Sequence, residues 1–100
     1  MNYSKSKRIT ASGFIVERAC AVSAITAYGG ANDMVVQLRD GGASGTVKWE
    51  FEVDSATSSP PFSFPRSIYF ATDLYITMSG GDGNRSVSAA LDEPESSTDI

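Results

Sequence analysis

The stretch Thr46–Val53 constrains this chain more than any other. Val47, Trp49, Phe51 and Val53 alternate with Lys48, Glu50 and Glu52, the period of two expected of a strand with one buried and one wet face. Just upstream, Met34, Val36 and Leu38 alternate with Val35, Gln37 and Arg39, and Asp40-Gly41-Gly42-Ala43-Ser44-Gly45 separates the two runs. Three glycines free to adopt positive φ make that segment the loop of a β-hairpin.

The rest of the chain extends this reading. Leu74, Ile76 and Met78 alternate with Tyr75 and Thr77, Gly80-Gly81-Asp82-Gly83-Asn84 marks a turn, and Val87, Ala89 and Leu91 follow in step; this pattern predicts a second hairpin. Residues 8–16 carry Ile9, Thr10, Ile15 and Val16 around Gly13, whose position suggests a bulge or a close backbone approach. Residues 19–28 are apolar on both faces. Their alanines allow a helix, but Val22, Ile25, Thr26 and Tyr28 favour a strand buried on both sides, ended by Gly29-Gly30. Residues 55–61, with Pro60 and Pro61, read as a linker crossing between sheets, and 67–70 as a short strand. The expectation is an all-β, antiparallel β-sandwich of about seven short strands, jelly-roll-like or Ig-like. Its domain would span 8–91, between a basic N-terminal arm (1–7) and an acidic, flexible tail (92–100).

The charge is segregated. The formal net charge is −4, but Asp92, Glu93, Glu95 and Asp99 lie in the tail, and residues 1–91 hold eight acidic and eight basic residues. A neutral body lacks the basic stripe that nucleic acid needs. No apolar run is long enough to span a bilayer as a helix. No apolar segment follows the first cations, so no secretory leader is expected. The one cysteine, Cys20, lies among small apolar residues and reads as a buried thiol with no disulfide partner.

The chain has no histidine. A Ser-His-Asp triad and a Cys/His zinc site are therefore excluded, and the chain reads as a non-enzyme without a cofactor or metal. Glu50, Glu52 and Asp54 read as strand-face charge. Asp82 and Asn84 could offer oxygen ligands to calcium, but turn formation explains them more simply. Gly80–Gly83 lacks the lysine and the following helix of a phosphate loop.

What remains is binding. Phe62 and Phe64, bracketed by Pro61 and Pro65, form a stiff aromatic loop that suits either an interface or one end of the core. Phe62, Phe64 and Pro65, with Lys5, Lys7 and Arg8 of the arm, are the interface candidates; Tyr28, Tyr69 and Tyr75 read more readily as core.

The order of these segments resembles a known group. The run Leu38-Arg39-Asp40-Gly41-Gly42-Ala43-Ser44-Gly45 leads into Val47-Lys48-Trp49-Glu50-Phe51. After the proline loop come Ile68-Tyr69-Phe70-Ala71-Thr72-Asp73-Leu74-Tyr75-Ile76 and a glycine-rich turn. Over residues 8–91 this resembles small β-sandwich virion proteins of tailed bacteriophages. The resemblance implies a capsid cement (decoration) protein, made in the host cytoplasm and located on the phage head, where it stabilises capsomer junctions. Its implied partners are the major capsid protein and copies of itself, as a homotrimer. A small tail or fibre component is the alternative within that group. From a different class, a carbohydrate-binding β-sandwich module would require an exposed Trp49.

Overall fold

A computed structural model describes residues 2–55 and 62–94, with the backbone alone for 2–6, 62, 65 and 92–94. In chain order the strands are β1 (Asn2–Ile9), β2 (Gly13–Val16), β3 (Cys20–Tyr28), β4 (Met34–Asp40), β5 (Thr46–Val53), β6 (Phe62–Phe70), β7 (Leu74–Gly80) and β8 (Ser86–Pro94). They form two four-stranded antiparallel sheets. The first has the order β1-β8-β3-β6 and the second β2-β7-β4-β5. The chain is an all-β sandwich.

The alternation seen in sequence builds the core. Val22, Ile25 and Ala27 of β3 and Val87, Ala89 and Leu91 of β8 point inward from the first sheet. Met34, Val36 and Leu38 of β4 and Leu74, Ile76 and Met78 of β7 face them from the second. Each large side chain so buried contributes roughly 1.5–3 kcal/mol. Cys20 is buried as expected. The β4–β5 hairpin forms in the predicted place, and Gly41 (φ 110°) and Gly42 (φ 80°) supply its positive φ.

The structure corrects several expectations. There are eight strands among the described residues, not about seven. β7 and β8 do not pair with each other: the turn at 80–85 carries the chain from the second sheet to the first. Gly80 and Gly81, at φ 91° and 75°, make that corner. Gly13 does not interrupt a strand. It starts β2, after the chain has left β1 and changed sheet. The proline-bracketed stretch around Phe64 is not a loop but part of β6, an edge strand, where a residue without an N–H is tolerated. Opposite β3 its register jumps from Ile68 to Ser63, so Phe64 to Ser67 bulge out of the ladder.

Both termini differ from the arm-and-tail expectation. Residues 2–7, read as an arm, lie in β1, which pairs with β8 from Asn2↔Pro94 to Ile9↔Val87. Residues 92–94, read as tail, complete β8. The pairing covers the edge that β8 would otherwise leave open. The rest of the tail, 95–100, and 56–61 of the linker lie outside the described residues. β5 and β6 belong to different sheets, so that linker does connect one sheet to the other.

Candidate functional site

Two bulges decide which side chains reach the outer face of the second sheet. Between β4 and β5 the register passes from Leu38↔Trp49 to Arg39↔Val47, leaving Lys48 as the extra residue. Beyond this bulge Val47 lies opposite outward-facing Arg39 and is 38% exposed, whereas strict alternation would put it on the face of Trp49. Lys48 reaches across to the first sheet, where its Nζ donates to the Tyr69 carbonyl (2.5 Å) and lies 5.4 Å from the Phe70 ring centroid. In β2, Ile15 is the extra residue, and it is buried while Phe14 faces out.

As a result, one row of partners crosses all four strands: Phe14 opposite Tyr75, Tyr75 opposite Arg39, and Arg39 opposite Val47. Phe14 is 37% exposed and meets Tyr75 edge-on, with centroids 5.0 Å apart and an interplanar angle of 88°. The next row is polar, with Thr77, Gln37 and Glu50 in register. Arg39 ties the rows together. Its Nε donates to Thr77 Oγ1 (3.1 Å), Nη1 to the Gly45 carbonyl (3.0 Å) and Nη2 to Gln37 Oε1 (2.6 Å). Gln37 Nε2 in turn donates to Glu50 Oε1 (2.6 Å). The guanidinium is thus held in one position by its own sheet.

The residues singled out in sequence do not form one site. Phe64 is half-buried and packs edge-on against Trp49 (5.2 Å, 79°), bridging β6 and β5 along one side of the sandwich. Lys7 and Arg8 are exposed on β1, at the opposite edge of the first sheet. The side chains of Lys5, Phe62 and Pro65 lie outside the described part. Tyr69 is 58% exposed, although it read as core, while Tyr28 and Tyr75 are half-buried.

Asp82 serves its turns. The Asp82 carboxylate accepts the backbone N–H groups of Ala31 (2.9 Å) and Asn84 (2.8 Å), which hold its pKa below the ordinary value. Glu52 and Asp54 are exposed. Among the described residues no three His, Cys, Asp or Glu side chains are grouped so as to hold a metal ion.

No protein-family model matches the sequence, and no curated protein matches it. Among solved structures, a chain from a study of Bacillus endospore appendages, described there as a novel family of disulfide-linked pili, is similar at 8% identity. Its TM-score is 0.37, with 94% of this chain and 92% of that one covered. So loose a likeness carries no functional argument.

Proposed function

We propose that this chain is a non-enzymatic structural protein that works by docking onto another protein through the outer face of its second sheet. The row Phe14–Tyr75–Arg39–Val47 carries the reading. Aromatic residues and arginine are the side chains enriched at the energetic centres of protein interfaces, and here they lie side by side, partly exposed and prepositioned. The finer form of the proposal is a virion cement protein, with the major capsid protein as partner and further copies beside it. The strand orders β1-β8-β3-β6 and β2-β7-β4-β5 suit a jelly roll, an architecture that viral capsid domains share with lectins and cupins. That architecture is compatible with the role but does not assign it.

The test is co-sedimentation of the purified protein with phage heads, together with immunoblotting of gradient-purified particles. Retention on heads and a fixed ratio to the shell protein are expected; absence from both sinks the cement reading. A second reading, sugar binding, draws on the same rings lying beside hydrogen-bonding Arg39 and Gln37 rather than on half-buried Trp49. A glycan array with wild type and Phe14→Ser separates the two.

A further inference from the structure

Of the β1 side chains that the structure describes, Lys7, Arg8 and Ile9, none is buried. Every buried apolar side chain among the described residues comes from β2 to β8, and Ile9 at the end of β1 is only partly buried. Lys7 lies opposite Ala89, which is 1% exposed and faces the core, yet Lys7 itself is exposed. At that register position β1 offers the core a cation and no apolar anchor. The ladder between β1 and β8 runs over the whole strand.

The strand's attachment to the body is narrow. Ser12 is fixed to β7, where its hydroxyl accepts the Met78 N–H (2.8 Å) and lies 3.5 Å from the Met78 carbonyl as donor. Only Thr10 and Ala11, both exposed, separate this anchor from β1. Within those residues the chain must turn from the first sheet to the second. Short connections of this kind favour exchange of an element between copies.

We infer that β1 is an exchangeable strand: residues 2–9 of one copy pair with β8 of a second copy, in the register they use at home. A swapped strand makes the same ladder it left, so little interaction energy separates the closed and exchanged forms. An uncovered β8 edge, 87–94, would be an open template for pairing, so a departing β1 is replaced by another copy's. Reciprocal exchange closes a dimer, and onward exchange builds an open chain. The inference concerns the chain's own copies and stands apart from docking by the second sheet.

The test uses two full-length variants, Arg8→Cys and Ser88→Cys, which alter a pair of register partners. They are mixed, held under mild oxidation across a range of concentrations, and run on a denaturing, non-reducing gel, with peptide mass mapping to exclude Cys20. Exchange predicts that the mixed disulfide dominates and that its share rises with concentration. A statistical mixture of the three disulfides, or no cross-link at any concentration, overturns it. A four-residue Gly/Ser insertion between Thr10 and Ala11 should lower the mixed product at least several-fold, because a relaxed hinge favours the closed form; an unchanged yield also counts against exchange.

Discussion

Asp40 and Asp73 each cap the turn that carries the other. The Asp40 carboxylate accepts the backbone N–H groups of Ala71 and Thr72 (both 2.9 Å) and of Asp73 (3.4 Å), while Asp73 Oδ1 accepts those of Gly41 and Gly42 (both 3.0 Å). The β6–β7 connection and the β4–β5 hairpin loop are therefore fastened by two reciprocal carboxylates. Asp40→Ala strips three donors of their acceptor and should lower stability by about 1–2 kcal/mol. In a chain of this size that is a drop of several degrees in thermal midpoint. Calorimetry checks it.

The same clamp makes stability depend on pH. The backbone N–H groups of Thr72 and Ala71 hold the Asp40 pKa below its ordinary value, and those of Ala31 and Asn84 do so for Asp82. A carboxylate whose pKa is lower folded than unfolded adds stability above its unfolded pKa, about 3.9, and loses it as pH falls through the folded value. Urea midpoints should hold steady from pH 7 to about 5 with respect to these groups and fall below about 4. Asp40→Asn should flatten that fall. An equal acid response in wild type and variant would remove Asp40 as a cause.

Two glycines at the other connections make a matched pair. Gly30 has φ 73°, and a Cβ there would lie 1.8 Å from Asp82 Oδ1, whereas one on Gly83 would meet nothing within 4 Å. Gly30→Ala should cost more than about 1 kcal/mol, because it strains the backbone and displaces the carboxylate that caps Ala31 and Asn84. Gly83→Ala should be neutral or slightly stabilising. Denaturant midpoints of the two variants measure the contrast.

Phe64→Ala should lower stability by roughly 2 kcal/mol, since it removes a half-buried ring packed on Trp49 and the core. Trp49 is the only tryptophan, so its emission reports directly. A red shift with greater quenching by iodide is expected. Unchanged emission would mean that Phe64 does not cover it.

Phe14→Ser should cost about 1 kcal/mol of stability, because it removes a ring that is mostly covered and packed edge-on against Tyr75, so binding is measured well below the variant's thermal midpoint. It should weaken partner binding by about 2 kcal/mol, roughly thirtyfold. Titration against heads or the isolated shell protein gives the ratio, and wild-type affinity would remove this face from the interface.

What could be read from the sequence was what local pattern determines. Met34–Asp40 and Thr46–Val53 declare their period within a few residues, and the glycines between them declare the turn. The turn at 80–84 looks equally glycine-rich, yet whether its flanking strands pair or part to opposite sheets depends on neighbours far along the chain. β1 read as an arm because lysines occupy positions where a strand usually shows apolar residues. The row Phe14–Tyr75–Arg39–Val47 was hidden most completely. It joins four strands through long-range register, and Val47 faces outward only because Lys48 is bulged, which alternation alone does not reveal.

The pairing of Asn2 with Pro94 has a geometric consequence. The polypeptide path almost closes on itself, so anything joined before residue 2 and anything joined after residue 94 must leave the sandwich at one corner. Fusion partners joined directly at residue 2 and at residue 94 would crowd each other there. The path could equally be sealed by a short bridge at that corner and reopened at the exposed Thr10–Ala11 connection, giving a permuted chain with the same ladders.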